Sequence, residues 1–426
     1  MDQNTLGNRL GRYAQTSLSL SGFATKLAGA KLLGNSTESY AESLYLILGN
    51  LKGPLMKIGQ ILSMVPDILP EHYAKELQNL QSNAPPMGEL FVRRRMRGEL
   101  GTKWEQLFKS FNLKPFAAAS LGQVHEAESL SGEKLACKLQ YPDMESAVEA
   151  DLGQLKLLLK LYKNYSGALN TDEIFDEITQ HLREECDYYH EAKNIQIFRG
   201  LFEDCPFVNI PKVVDNLSTK RLLTLSFLQG KKIQEFYEAP QGARNQIAQK
   251  LFYAWYMPFY RAGVLHGDPH FGNYSVADTG SINMMDFGCV RIFDKTFIEG
   301  VVLLYRSFLE NNPKKMQEAY DLWGFQDQRP EVLEVLNLWA RYLYGPLLED
   351  RVRLIDSDGL AGKEIAKTVH KRLKELGGVK PPKEFVFMDR AAVGLGSAFI
   401  RLKANLNWHE LFEDILKEAK SSSAAV

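Results

Sequence analysis

The chain is expected to fold as a helix-rich α/β (α+β) protein of two lobes. Three observations predict this. Its 426 residues exceed what one hydrophobic core usually organises. Short apolar runs separated by turn residues cluster between 116 and 230, as strands do. On both sides of that region the apolar positions return at helical spacing. The divisions expected are a helical N-terminal extension over 1–85, a sheet-containing lobe with inserted helices over 86–230, a helical lobe over 231–420, and a disordered tail over 421–426.

Taken in order, 20–33 is amphipathic and rich in small residues, which suits a peripheral membrane contact or, as the favoured reading, a helix packed on its own protein. Several short helices follow over 37–84, broken by Gly53, Pro54, Pro66 and Pro70. "NAPPMGEL" marks a turn and boundary, and "FVRRRMRGELG" a helix capped by Gly101. "SLGQVHEAES" and "KLACKLQYP" form a hairpin around Ser131, Gly132 and Glu133. Residues 143–200 are helical, and "VNIPKVVDNLSTKRLLTLSFLQG" reads as strand, turn and strand. From Lys231 onward the pattern is helical except for a small two-strand element within 264–290.

With 51 basic and 52 acidic residues the chain has no overall field to gather nucleic acid, and no nucleic-acid role is expected. Cys137, Cys186, Cys205 and Cys289 form no CxxC pair and read as reduced thiols in a cytosol-like compartment. No signal-peptide core and no apolar run of roughly 18 residues is apparent, so the expected location is cytoplasmic, with at most a peripheral contact at an inner membrane.

The chemistry concentrates in "HGDPHFGN" and "MMDFG". Asp268, Asn273 and Asp286 have the spacing of a phosphoryl-transfer site, in which hard oxygen ligands hold magnesium on phosphates and a carboxylate stands near the acceptor. Lys138, in the apolar run "LACKLQY", follows the loop-like "AAASLGQVHEA" at the interval of a nucleotide-contacting lysine. "REECDYYHEAKN" offers Glu184, Glu185, Asp187 and Glu191 on one expected helix, with Glu185 off the face the others share. By pattern alone that is an ordinary acidic face. In "KIGQ", Lys57 and Gln60 project to one side of an apolar helix, where a snorkelling lysine is the plain alternative.

Together "KIGQ", "AAAS", "ACKLQYP", "EECDYYHEA", "HGDPHFGN" and "MMDFG" resemble the UbiB family of atypical kinases, also called aarF-domain kinases. The resemblance implies a two-lobed protein-kinase-like fold whose N-terminal extension packs over the active site. It implies that Ala117, Ala118, Ala119 and Ser120 form an alanine-rich nucleotide loop, that Lys138 pairs with Glu191, and that the hinge stretch Leu225, Ser226, Phe227 and Leu228 holds the nucleotide. Asp268 would be the acceptor-side aspartate, Asn273 and Asp286 the Mg2+ ligands, and Lys57 and Gln60 the KxGQ motif facing Glu185 and Asp187. The cofactors implied are ATP or ADP and Mg2+. The activity implied is ATP hydrolysis supporting ubiquinone (coenzyme Q) biosynthesis, with limited or no protein kinase activity, and the partners are a quinone precursor lipid and other quinone-biosynthesis proteins. A true small-molecule or protein kinase and a nucleotide-gated lipid-binding scaffold are the alternatives. Alanine in place of glycine costs about 1–2 kcal/mol in left-handed conformations, so the loop is expected to take fewer shapes than a glycine loop.

Overall fold

The computed structural model describes residues 87–423, apart from Ser120, 167–170, Pro269, 326–328, 356–358 and 378–382. The KxGQ residues Lys57 and Gln60, and the rest of the expected N-terminal extension, lie outside the described residues, as does Ser120 of the alanine loop. The chain separates into two compact units. Among the described residues the first contains 87–188 and 216–224, the second 189–215 and 225–423.

In the first unit, helix α1 (Glu89–Leu100) ends where Gly101 takes φ 87°, its N–H bonding Arg97 O. Strands β1 (Phe108–Phe111), β2 (Ala117–Ala119), β3 (Gly122–Ser129) and β4 (Lys134–Gln140) follow, with β6 (Leu222–Ser226) beyond β4. β3 is the central partner, antiparallel to β1, β2 and β4. The expected hairpin is present, with Glu128 opposite Lys134 and Gly122 opposite Gln140. Alternation along β4 buries Leu135, Cys137 and Leu139 on one face and puts Lys138 on the other. Trp104, Phe108 and Phe111 close one end of the core edge to face.

Helices α2 (Met144–Ser166) and α3 (Thr171–Glu185) complete this unit, burying Leu152, Leu155, Ile178 and Leu182. The single helix expected through "REECDYYHEAKN" is two: α3 stops at Glu185 and α4 (Tyr188–Leu201) starts three residues on. The break has a physical cause. Cys186 N–H and Asp187 N–H bond the Arg183 and Glu184 carbonyls in a turn, and Tyr188 N–H goes instead to Lys220 O, far along the chain. Glu184, Asp187 and Glu191 therefore do not share a helix face.

The strand, turn and strand expected over 208–230 are present as β5 (Val208–Asn209) and β6, and the two strands enter different sheets. In the second unit β5 runs parallel to β10 (Ile282–Met284), in a sheet ordered β5, β10, β9 (Tyr274–Val276), β7 (Lys231–Lys232). The two-strand element expected within 264–290 is four short strands, since β8 (Val264–His266) pairs with β11 (Val290–Ile292) outside the β9–β10 hairpin. β material is thus not confined to one region. The core forms where α5 (Gln241–Ala262) meets α11 (Trp408–Ser423), with Phe252, Phe399 and Trp408 packed among one another and Phe412 against Tyr256 and Tyr260. Between them run α6 (Lys295–Leu309), α7 (Pro313–Leu322), α8 (Pro330–Tyr344), α9 (Gly359–Glu375) and α10 (Lys383–Arg401), and a β12 (Val352–Leu354) and β13 (Asn405–Asn407) pair. α11 takes in the first three residues of the expected tail. Among the described residues no helix is long and apolar enough to cross a membrane.

Candidate active site

Two nested antiparallel pairs build the centre in the second unit. The outer pair sets His266 opposite Val290, and the inner sets Tyr274 opposite Met284. The chain leaving β8 must therefore return through a short 3-10 turn, Phe271–Asn273, into β9, and the chain leaving β10 must return to β11. Asp268 lies on the first connection, Asn273 at its end and Asp286 on the second. Met285 N–H bonds Asn273 O at 3.0 Å and Gly267 N–H bonds Cys289 O at 2.6 Å, which ties the two connections together.

Asn273 Nδ2 donates to Asp268 Oδ2 at 3.0 Å, and His270 N–H approaches Asp268 Oδ1 at 3.4 Å. The Asn273 amide is thereby oriented, its nitrogen on Asp268. Gly288 N–H holds Asp286 Oδ1 at 3.0 Å. The oxygens that would meet a cation are Asn273 Oδ1 and the Asp286 carboxylate. Among the described residues no group of three or more His, Cys, Asp or Glu side chains is placed to enclose a metal. A donor pair of one amide and one carboxylate oxygen instead fits magnesium, which takes few protein ligands and completes its shell with waters and phosphates.

Sequence reasoning assigned no role to His266, which the fold buries completely behind this centre. Trp255 Nε1–H donates to Tyr274 Oη at 2.6 Å, Tyr274 O–H donates to His266 Nδ1 at 3.1 Å, and His266 Nε2–H donates to the Asp286 carbonyl at 2.5 Å. Burial holds the imidazole below its ordinary pKa, so it is neutral, as this chain of donors requires. The relay fixes the Asp286 backbone from beneath.

A second grip comes from α4. Glu191, Asn194 and Phe198 fall on one helical face and all three engage Phe287. Phe287 N–H approaches Glu191 Oε1 at 3.4 Å, Asn194 Nδ2 donates to Phe287 O at 2.9 Å, and the Phe198 and Phe287 rings lie 5.0 Å apart. Glu191 is 3% exposed. The helical spacing of 191, 194 and 198 was the available signal for the last two residues.

In the first unit Lys138 places Nζ 5.3 Å from the Tyr188 ring centroid, a cation–π contact. Glu184 accepts from Gln180 at 2.8 Å at the end of α3, and Glu185 and Asp187 flank the break after it. The expected alanine loop is a strand. Ala117, Ala118 and Ala119 pair with Val124, Gln123 and Gly122, so no left-handed cost falls on them; positive φ outside glycine occurs, among the described residues, at Asp143, Asn311 and Lys403. The tight spot is Gly122, where a Cβ would collide with the Leu139 carbonyl. In the hinge stretch Ser226 N–H and the Ser226 hydroxyl are both engaged by the Lys212 backbone, each at 2.8 Å. Leu225 bridges to Val213 on the same path, and Phe227 and Leu228 continue toward β7.

A lysine-bearing strand and a carboxylate–amide–carboxylate centre on nested hairpins define a kinase-like protein. Residues 79–320 match the ABC1 atypical kinase-like domain, and the chain belongs to that family. It is 27% identical to the mitochondrial atypical kinase coq-8 of Caenorhabditis elegans over 89% of this chain and 51% of that protein. With the mitochondrial atypical kinase COQ8 of Saccharomyces cerevisiae it shares 28% identity over 86% of this chain and 74% of the relative. The chain thus spans about half the nematode protein and about three quarters of the yeast one. A solved structure, that of Rv3197 with erythromycin from Mycobacterium tuberculosis, matches with a TM-score of 0.64 and 26% identity, covering 92% of this chain and 98% of that one. The family resemblance read from the motifs is borne out.

Proposed function

We propose that this chain is a magnesium-dependent, ATP-hydrolysing atypical kinase that supports isoprenoid quinone biosynthesis. The observation that carries the reading is the oriented Asn273 amide, held by Asp268 and tied through the backbone to the strand leading into Asp286. Asn273 and Asp286 would hold the cation, and Mg2+, when bound, would neutralise charge on the nucleotide phosphates. Asp268 would face the attacking oxygen while keeping Asn273 in place. His266 and α4 keep the Asp286–Phe287–Gly288 backbone from shifting, so the carboxylate is preorganised.

Lys138 is assigned the phosphate contact, with Glu191 as the partner the family resemblance gives it. Ala117, Ala118, Ala119 and Ser120 are assigned to the nucleotide loop, and Leu225, Ser226, Phe227 and Leu228 to the adenine side. Because Ser226 N–H is engaged by Lys212, any base contact from Ser226 would be made by its carbonyl. Lys57 and Gln60, which the family resemblance sets facing Glu185 and Asp187, are assigned the covering of the acceptor side, which favours water over a protein acceptor.

The test is ATP turnover by the purified protein with Mg2+ or with chelator, in the presence and absence of a phenolic quinone precursor and liposomes, with Asp286→Asn as control. Metal-dependent phosphate release stimulated by the precursor supports the reading. Transfer of label to a defined acceptor would make it a true kinase, and tight nucleotide binding without turnover would make it a scaffold.

A further inference from the structure

A row of polar side chains crosses the sheet of the second unit. Asn209 on β5, Asn283 on β10 and Ser275 on β9 stand side by side, Asn283 in register with each of the other two. Ile282 and Met284 are fully buried on one face of β10, and strand alternation turns Asn283 to the other, where it is buried as well. A buried amide is costly unless it is hydrogen-bonded, and here the oxygen and both amide hydrogens are engaged. Asn209 Nδ2 donates to Asn283 Oδ1 at 2.8 Å, while Asn283 Nδ2 donates to Ser275 Oγ at 2.9 Å and to the Gln229 carbonyl at 3.0 Å.

The bond to Gln229 differs from the other two in what it joins. Asn209 and Ser275 lie on strands already paired with β10 through the backbone, whereas Gln229 lies on the connection from β6 to β7, directly after the stretch Leu225, Ser226, Phe227 and Leu228. Gly230 brings that connection hard against the row. A Cβ there would stand 2.6 Å from Ser275 Oγ, 2.7 Å from Asn283 Nδ2 and 2.9 Å from Val276 O, so only glycine permits the approach. Lys212 already holds the start of the stretch at Ser226, and Asn283 holds the chain just past its end. One amide thereby gathers three segments of the second unit: β9, which begins directly after Asn273, β10, which leads to Asp286, and the connection after Leu228. A leucine of similar size would fill the same strand face but could not hold the Gln229 carbonyl.

We infer that Asn283 is a positioning residue for the nucleotide: by holding Gln229 O it fixes the stretch assigned to the base against the strands that deliver the proposed cation ligands. This rests on the nucleotide reading above and adds to it a residue that touches neither nucleotide nor metal. With the link in place the base side is already ordered before ATP arrives, so less freedom is lost on binding. Without it the connection is free to leave the row, and the base end alone suffers.

The test is the Kd for MgATP, measured on the full chain by displacement of a fluorescent ATP analogue, with the Mg2+ midpoint of the ATP-loaded protein alongside. Asn283→Leu and Gly230→Ala should each weaken MgATP on the order of tenfold, the second by displacing the connection with no change to the row's own residues. Ser275→Ala removes one bond of the row but spares the bond to Gln229, and should stay within about twofold of wild type. The Mg2+ midpoint should move by less than about twofold in all three, because Asn273 and Asp286 keep their own supports. A row that served stability alone would lower Tm and leave the Kd of the folded protein where it was. Gly230 is exposed, so Gly230→Ala decides the matter if Asn283→Leu does not fold. Wild-type affinity in either of these two variants, a Ser275→Ala loss equal to theirs, or a Mg2+ midpoint shifted as far as the Kd overturns the proposal while the nucleotide reading stands. A wild-type protein that binds no MgATP overturns both.

Discussion

The side-chain amide of Asn273 rests on the carboxylate of Asp268 with its nitrogen 3.0 Å from Oδ2, so one of the proposed metal ligands is aimed by the residue proposed to meet the acceptor. The two roles are mechanically linked. Asp268→Ala should therefore weaken Mg2+ binding by about 10–100-fold, the usual effect of removing a group that orients a ligand, in addition to lowering turnover. Titrating Mg2+ against nucleotide-bound protein reads the first effect alone. An unchanged Mg2+ midpoint would mean that Asn273 needs no support.

His266 joins the Asp286 carbonyl to Tyr274 and Trp255 in one buried chain. His266→Phe keeps the ring volume but strands the Tyr274 hydroxyl and the Asp286 carbonyl, at about 1–3 kcal/mol for each unsatisfied group. Urea unfolding should show a loss on the order of 2–5 kcal/mol, similar to that of Tyr274→Phe, which strands Trp255 Nε1–H and His266 Nδ1 instead. A loss below about 1 kcal/mol for His266→Phe would show that the relay does not hold the Asp286 backbone.

Gly122 and Ala119 face each other across the end of β2 and β3 but should respond oppositely to exchange. Gly122→Ala drives a methyl into the Leu139 carbonyl and should cost about 1–3 kcal/mol or displace the strand end. Ala119→Gly only loosens an extended residue and should cost about 0.5–1 kcal/mol. Thermal unfolding of the two variants, with nucleotide titration alongside, measures both. A more severe Ala119 variant would return the alanines to the central role expected of them.

Glu413 gives a pH dependence with a definite sign. Burial would raise its carboxyl pKa, but hydrogen bonds from Arg306 at 2.7 and 2.8 Å and from Tyr305 at 2.8 Å outweigh burial and hold it below the ordinary carboxylate value. Its contribution is then present above the unfolded pKa and is lost as pH falls through the folded one. The Tm gap between wild type and Glu413→Gln should be widest near neutral pH and narrow progressively on acidification below about pH 4.5. A gap that is flat or widens on acidification would contradict the depressed pKa.

Local signals were legible where they were self-contained. Gly101 ends α1 because a positive-φ cap is open to glycine alone among nearby residues, and the Ser131 to Glu133 turn makes its hairpin because both strands adjoin it. The spacing of Asp268, Asn273 and Asp286 pointed to elements the fold does bring together. What pattern could not show were partnerships set by distant chain. Helical periodicity runs unbroken through Cys186 and Asp187, yet Tyr188 N–H is drawn to Lys220 O. β5 is two residues long and has no alternation to detect, and its partner β10 comes much later in the chain. His266 and Asn194 were visible as residues, but their value lies in which buried carbonyl each meets.

The interleaving of the two units has a consequence for the order of assembly. The first unit is completed only when 216–224 returns to it, after the chain has already begun the second with 189–215. β5, made early in that excursion, has no strand to lie against until β10 has been synthesised. A nascent chain emerging from the N-terminal end therefore carries an edge without its partner through the whole of α5 and the connection that bears Asp268 and Asn273. Such a chain closes its long-range pairings late and depends on the strand just ahead of Asp286 to finish its own sheet.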